Sequence, residues 1–597
     1  MRRAVAFAGT LLLAGASLAQ ETPSPSEDMK LPPEKNPAEE VIQKRPGQSE
    51  PLRYVPPPAD PSQVPPPQAA QPRETLPVPD RWRIMQGLGY DHPWYDPYNQ
   101  NTLKGDLPIS KGSDWFLNLG AVSDTLLEAR RLPTPVPPQA STRAGSNDAF
   151  GQGKQSTFSE TLIVSASLIK GDTTFRPPDL ELRFTPAFNF NRSMAQENRV
   201  LFADPSKGDT RDDSFAAVQE AFADVHLRNV SERYDFDSLR VGIQPFTSDF
   251  RGFVFQDVPF GVRLFGTRDN NRWQYNLGWF RRIEKDTNSG LNDVGKGLRD
   301  DDTFVANAYR QDFPALGFTS QATVMVNRNN EGSTGQYFDN NGFLVRPAQV
   351  GDERPHNYRV TYLGYNGDGH FGRTNLSVSI YGAFGHDDHN PIAGQPQDIV
   401  AGFAAAELSR DYSWVRLRLN ALFQSGDKNP FDGKATGFDA ILENPQFAGA
   451  GTSFWIRQAI PLVGGGGVTL SGRNGVLASL RSSKDEGQSN FVNPGLVLLG
   501  GGADFDLTPQ WRLISNISYL QFQSTEVLAA LRSQSPPPRS IGWDLSAGVQ
   551  WRPFMSQNMV LNASAAALLP AEGLKQLYDT SQSGALYSIL VNLLLSF

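Results

Sequence analysis

Apolar and polar residues alternate along most of the chain beyond Asp114. Trp543, Leu545, Ala547, Val549 and Trp551 are interleaved with Asp544, Ser546, Gly548, Gln550 and Arg552. Trp273, Tyr275, Leu277 and Trp279 are interleaved with Gln274, Asn276 and Gly278, and Leu180, Leu182, Phe184, Phe188 and Phe190 with Glu181, Arg183, Thr185, Asn189 and Asn191. A period of two puts each set on its own face of a sheet. Segments of this kind predict eighteen strands, near 114–130, 157–170, 179–192, 215–229, 236–246, 258–267, 272–284, 303–313, 317–328, 356–366, 373–385, 399–411, 413–425, 494–506, 510–523, 541–552, 558–569 and 585–597.

The connections alternate as well. Short ones (171–178, 230–235, 268–271, 314–316, 367–372, a tight turn near 412, 507–509, 553–557) separate longer ones (131–156, 193–214, 247–257, 285–302, 329–355, 386–398, 426–493, 524–540, 570–584). Short periplasmic turns and long external loops are the habit of outer-membrane barrels. A soluble sandwich or propeller has no reason to keep it throughout. The predicted fold is therefore all-β: a transmembrane, antiparallel, up-and-down β-barrel over 114–597. Closure has a physical cause. Hydrocarbon offers no hydrogen-bond partners, so a sheet in lipid must pair all its own backbone groups.

Composition supports this reading. The mean hydropathy of -0.41 belongs to a polar chain, yet aromatic residues make up 11% and there are 10 Trp. Alternation averages to a polar score even when one face is oily. Trp115, Trp273, Tyr275, Trp414, Trp511, Trp543 and Trp551 stand at predicted strand ends, where interfacial girdles lie. With 0 Cys there is no disulfide, thiolate metal site or cysteine nucleophile. A net charge of -8 excludes a general nucleic-acid binder.

The N-terminus begins Met1-Arg2-Arg3, runs apolar from Ala4 to Leu18 and ends in small residues at Ser17-Leu18-Ala19. This pattern predicts a signal peptide over 1–19, in preference to a short membrane anchor, and hence export from the cytoplasm. Residues 20–80 are Pro-dense and are expected to be an extended, disordered linker. Residues 81–113, with Trp94, Tyr95 and Tyr98, are expected to form a periplasmic collar or a plug. An even strand count leaves both barrel ends, and the tail, on the periplasmic side.

If the apolar face meets lipid, the polar face lines the lumen. The expected pore-lining cations are Arg183, Arg240, Arg263, Arg359, Arg416, Arg418, Arg512 and Arg552, with Glu181, Glu220, Asp224, Glu407 and Asp544 among the inward acids. Cationic rings favour anions; the alternative is that the arginines pair with those acids and stiffen the wall. An eighteen-stranded barrel encloses an aqueous channel. The long connection 426–493 is expected to fold inward as a constriction or outward as a cap.

Leu239-Arg240-Val241-Gly242-Ile243-Gln244-Pro245-Phe246, Phe250-Arg251-Gly252, Asp257, and Phe260-Gly261-Val262-Arg263-Leu264 resemble strands and an inward segment of the alginate-export family of outer-membrane barrels. Gly542-Trp543-Asp544-Leu545 and Leu568-Leu569-Pro570 resemble its closing hairpins. The resemblance implies an eighteen-stranded monomer that conducts an anionic polysaccharide, with Arg240, Arg251 and Arg263 at the lumen or constriction. The Pro-rich tail and the connection 426–493 depart from that family. The final strand, with Tyr587, Ile589, Val591, Leu593, Leu595 and Phe597 on one face, resembles the segment read by the barrel-assembly machinery.

Other chemistry has little support. His386-Asp387-Asp388-His389 reads as a polar turn rather than a metal site, and Asp427, Asp432, Asp439 and Glu443 do not have calcium-loop spacing. Gly500-Gly501-Gly502 lacks the Lys-Ser/Thr of a phosphate loop, and there is no Gly-x-Ser-x-Gly elbow. No cofactor, metal or catalytic role is expected. The functional expectation is a channel for anionic solutes or polysaccharide. The alternatives are a scaffold or sleeve around a partner protein and, less well supported, an outer-membrane hydrolase.

Overall fold

A computed structural model describes Gly89 and residues 103–110, 112–131, 134–135, 150–151, 153–171, 177–196, 200–233, 235–348, 351–449, 451–453, 459–461, 467–469, 479–480, 485–532, 534–554, 557–577 and 586–597. The expected signal peptide and Pro-rich linker, and most of 81–113, lie outside the described residues.

Eighteen long strands form one closed antiparallel barrel. They are β1 (Trp115–Arg131), β2 (Lys154–Lys170), β3 (Leu180–Ala195), β4 (Thr210–Asn229), β5 (Phe236–Ile243), β6 (Phe260–Arg268), β7 (Trp273–Ile283), β8 (Leu298–Arg310), β9 (Phe318–Asn329), β10 (Tyr358–Phe371), β11 (Thr374–Asn390), β12 (Gln395–Tyr412), β13 (Val415–Gln424), β14 (Leu496–Asp506), β15 (Trp511–Phe522), β16 (Ser540–Trp551), β17 (Met559–Pro570) and β18 (Leu586–Ser596). Each pairs with its sequence neighbours. β18 closes onto β1 from Val122↔Ser596 to Arg131↔Tyr587, which removes both free edges. Below this seam, the short strand Lys104–Pro108 pairs with β1 from Lys104↔Asn118 to Pro108↔Phe116.

The outer face is oily. Leu419 (65% exposed), Leu499 (58%), Ile589 (54%) and Leu569 (52%) point away from the barrel, as do Leu182, Phe184, Phe188 and Phe190 of β3. Only lipid covers such a belt without a large free-energy penalty. Trp511 and Trp551, register partners on β15 and β16, stack at 5.4 Å at the short-turn end. Tyr519 and Trp543 meet at 5.0 Å toward the other end of the same strands. The inner positions of β3 are polar and bonded across the wall: Asn189 Nδ2 donates to Ser159 Oγ at 3.0 Å and Thr161 Oγ1 at 2.8 Å.

One connection differs from expectation. The stretch 386–398 is mostly strand, because β11 runs to Asn390 and β12 resumes at Gln395. The turn is thus short although it lies at the long-loop end. The His386–His389 tetrad accordingly sits on β11 rather than in a loop, with His386 and Asp388 exposed, Asp387 and His389 buried.

Candidate functional site: a narrowed lumen

Among the described residues several connections fold into the barrel, and two of them meet at its centre. The first, between β5 and β6, forms a hairpin in which Phe246–Thr247 pairs with Gln256–Asp257. Asp249, 4% exposed, organises its tip by accepting the N–H groups of Arg251 (3.0 Å), Phe253 (3.0 Å) and Val254 (3.3 Å). Gly252 has φ +74°, and a Cβ there would lie 2.4 Å from Gln256 Oε1 and 2.9 Å from the Asn444 carbonyl, so only glycine fits.

The second comes from the long connection after β13. Its residues 435–449 and 485–495 lie inward and are mostly buried. Ile441 N–H donates to the Val254 carbonyl at 3.0 Å and Asn444 N–H to the Gly252 carbonyl at 2.9 Å, so the two segments run together inside the barrel. Phe253 packs on Phe403 (4.9 Å) and Phe447 (5.4 Å), and Phe438 on Phe403 (5.2 Å) and Tyr362 (6.1 Å). The segment then crosses to the far wall. Thr452 meets Ser546 at 2.9 Å, and Ser453 donates to Asp544.

Beside these segments, β3 to β6 carry a ladder of guanidinium groups and aromatic rings. Arg183 lies 5.5 Å from the Phe222 ring and Arg240 lies 4.3 Å from it; Arg240 is also 5.6 Å from Phe265. Arg263 lies 4.7 Å from Phe265 and 5.5 Å from Phe246. Acids alternate with them. Arg183 pairs with Glu181 at 2.8 Å and Glu220 at 3.7 Å, and Arg240 with Asp224 at 2.7 Å. Arg263 instead donates to Asn276 Oδ1 at 2.7 Å and has no carboxylate within 4.0 Å among the described residues. The side chains of Arg183 (20% exposed) and Arg240 (19%) remain open to solvent.

The other expected cations are more scattered. Arg251, on the inward hairpin, reaches Glu407 at 3.3 Å, Asp368 at 3.7 Å and Ser377 at 2.9 Å. Arg418 and Arg512 both pair with Asp504 at 2.7 Å. Arg416 pairs with Asp411 at 2.5 Å, and Arg552 donates to Gln550 at 2.5 Å, both near short turns. Arg359 is a correction. It is exposed between the buried Tyr358 and Val360, so it points outward and not into the lumen.

The rungs Phe222, Phe246 and Phe265 were absent from the sequence-based set. For Phe222 a signal existed, since it shares the inward phase of Glu220 and Asp224 on β4. At the long-loop rim His356 gathers with Asp387 and Asp388, a grouping that the tetrad 386–389 did not contain. Asp439 and Glu443 are buried in the inward segment, where Asp439 accepts the Ala440 (2.9 Å) and Asn490 (2.8 Å) amides.

The fold and site define a membrane-spanning β-barrel whose lumen is narrowed by its own connections. No protein-family model and no curated protein matches the chain, so the alginate-export resemblance rests on the short motifs alone. Among solved structures, the chain is similar to OccK9 (OpdG) of Pseudomonas aeruginosa (13% identity, covering 81% of this chain and 98% of that one, TM-score 0.43). It is similar to OccAB1 of Acinetobacter baumannii (11%, 81% and 96%, TM-score 0.44) and to OccK2 (OpdF) of Pseudomonas aeruginosa in complex with glucuronate (13%, 81% and 97%, TM-score 0.41). At this distance a likeness does not transfer function.

Proposed function

We propose that the protein is a bacterial outer-membrane channel for small carboxylate-bearing solutes, held in transit on the arginine–phenylalanine ladder. One observation carries the reading: Arg240 and Arg263 stand side by side as register partners, with Phe222, Phe265 and Phe246 between and beside them. A guanidinium offers a planar fork of donors to a carboxylate, and an aromatic face offers contact to the apolar side of a ring. A uronic or aromatic acid has both features. The ladder sets three arginines against three acids, Glu181, Glu220 and Asp224, so it is not a bare positive wall; selectivity comes from Arg263, whose bonded neighbour is the neutral Asn276.

A polysaccharide is the less suited cargo. The inward segments fill the barrel interior with Phe253, Phe255, Phe438 and Leu442, each 0–1% exposed, and a small solute needs less of the remaining passage. A sleeve around a partner protein is disfavoured for the same reason, because the chain's own segments occupy the interior. In this reading the long connections face outward and the N-terminal segment is periplasmic. The unit is a monomer, because the closed barrel leaves no edge to pair, and the last strand, ending at Phe597, is what the assembly machinery reads.

Planar-bilayer recording tests the proposal. The expected result is a pore with modest anion preference that is blocked by a uronic acid, both effects weakening in Arg240→Gln/Arg263→Gln. A protein that forms no pore, or a pore that passes cations better, overturns it.

A further inference from the structure

The outward-facing Arg359 belongs to a ladder of its own. On the outer face, Phe304, Val326, Thr361, Phe384 and Val400 are register neighbours across β8 to β12, and, Thr361 aside, they form the last apolar rung toward the long-loop end. One step further along the strands, the outward rung reads Asp302, Arg328, Arg359, His386 and Asp398, and it continues to Lys434 through the parallel pairing of Lys434–Ala435 with β12. The oily belt ends and a charged belt begins within two residues on five consecutive strands.

The ends of this rung are neutralised and its middle is not. Trp279 Nε1 donates to Asp302 at 3.0 Å, and Arg281 lies 3.9 Å from Asp302 and 2.6 Å from Asp300. His386 meets Asp398 at 3.0 Å. Asp388, one rung higher, is held by the side chain and backbone N–H of Asn357, each at 2.8 Å. Arg328 has only a 3.4 Å hydrogen bond to Asn330, and Arg359 makes no hydrogen bond or ion pair among the described residues. The two are direct register partners and both are exposed. Like charges directly opposite on adjacent strands repel, and their Cα atoms are only about 5 Å apart. An anion bridging both guanidinium groups would remove that repulsion, and a phosphate matches the donor geometry.

We infer that Arg328 and Arg359 form a binding site for the phosphate of a phosphorylated glycolipid in the external leaflet, with its acyl chains lying along the apolar rung beneath. The inference rests on the membrane orientation proposed above. It concerns the outer wall, so the solute ladder in the lumen plays no part in it. Depth and charge together favour a lipid headgroup over free phosphate, since the site adjoins the oily belt rather than the open mouth.

The test uses the full-length barrel in phosphatidylcholine vesicles doped with bisphosphorylated lipid A, with retention through purification read by native mass spectrometry. Arg328→Gln and Arg359→Gln are each expected to lower retention about fivefold, the weight of one interfacial cation. Arg328→Lys/Arg359→Lys keeps the charge but not the forked donors and is expected to fall between wild type and the double Gln variant. Dephosphorylated lipid A is expected to bind no better to wild type than to the double Gln variant. Equal retention by wild type and the double Gln variant overturns the site. So does full displacement by inorganic phosphate at a concentration that leaves the acyl chains bound elsewhere, which would mark a free-phosphate site. Conductance of the double Gln variant is expected to equal that of wild type. A wild-type barrel that retains lipid A through these arginines but conducts nothing would sink the channel proposal and leave this site standing.

Discussion

Arg263 and Arg240 face each other across the β5–β6 ladder, and of the two only Arg240 has a carboxylate in reach, Asp224 at 2.7 Å. Two residues of the same type, on one rung, therefore do different work. Arg240 holds a buried acid in place, while Arg263 is bonded to the neutral Asn276 and feels Asp224 only at longer range.

Arg263→Gln and Arg240→Gln remove the same charge but leave different remainders. With Arg240 gone, Asp224, 7% exposed, loses its partner. Breaking a buried pair costs about 3–5 kcal/mol, and the partial exposure of Arg240 lowers that to about 2 kcal/mol here. Arg263→Gln loses one hydrogen bond to Asn276, worth about 1 kcal/mol. The expected outcome is a clear fall in the unfolding midpoint for Arg240→Gln, with Arg263→Gln nearer wild type. Both variants shift reversal potential toward cations in a salt gradient. Equal midpoints for the two variants would remove the distinction.

Asp249 is the keystone of the inward hairpin, since its carboxylate takes the N–H groups of Arg251, Phe253 and Val254 and the Tyr381 hydroxyl at 3.2 Å. Asp249→Ala strands buried donors, each worth about 1–3 kcal/mol. The expected outcome is a loosened hairpin in an intact barrel: higher and noisier single-channel conductance with unchanged β-sheet circular dichroism. An unchanged current trace would show that the hairpin does not set the narrowest point.

The barrel was legible because lipid imposes one rule on every strand, oily outside, and β3, β7 and β16 obey it residue by residue. The rule broke at β10. Its inner face carries Tyr358, Val360 and Tyr362 because the folded-in Phe438 packs there, so the apolar phase points inward and Arg359 lands outside. A polar residue marks the lumen only where the lumen is wet. The stretch 386–398 misled for a related reason: β11 and β12 continue past the oily belt, where both faces are polar and period two carries no contrast. The constriction was legible only as one of two options for the connection 426–493; its contacts were not, since Arg251 meets Glu407 across 156 residues of chain and no local pattern reports it.

Asp427 makes the long connection sensitive to pH. Burial pushes its carboxyl up to about 6, with the nearby Asp432 adding to the effect, against the opposing amides of Asn429 and Thr436. A carboxyl raised in the folded state favours folding most below its ordinary value of 3.8. That contribution declines as pH rises toward 6 and is gone above it. Segment 434–442 is therefore expected to exchange its amide hydrogens faster at about pH 7 than at about pH 5, beyond the intrinsic chemical effect. Asp427→Asn, neutral throughout, is expected to show the slow behaviour at both. The same pH dependence in the Asn variant would assign it to another group.

Where the long connection returns to β14, three buried guanidinium groups hold its backbone. Arg282 and Arg299 each donate to the Asp485 carbonyl at 3.0 Å, Arg299 also to Gly487 at 3.0 Å, and Arg346 to Glu486 at 2.8 Å. Glu331 anchors the set, pairing with Arg299 at 2.8 Å and Arg346 at 3.3 Å. Burial opposes its ionisation, but Arg299 and then Arg346 outweigh it and hold the carboxyl at about 2, below its ordinary 4.5. A depressed carboxyl contributes fully above 4.5, and the contribution is lost as pH falls toward 2. The clamp is thus expected to be indifferent to pH from about 7 to about 5 and to weaken in stronger acid. Glu331→Gln removes the carboxylate that is paired with the fully buried Arg299, a loss of about 3–5 kcal/mol. At neutral pH it is expected to reproduce the acid behaviour of wild type, with faster hydrogen exchange at 485–493. Wild-type protection of that segment in the Gln variant would mean that the backbone carbonyls alone suffice to hold the arginines, and that Glu331 is dispensable.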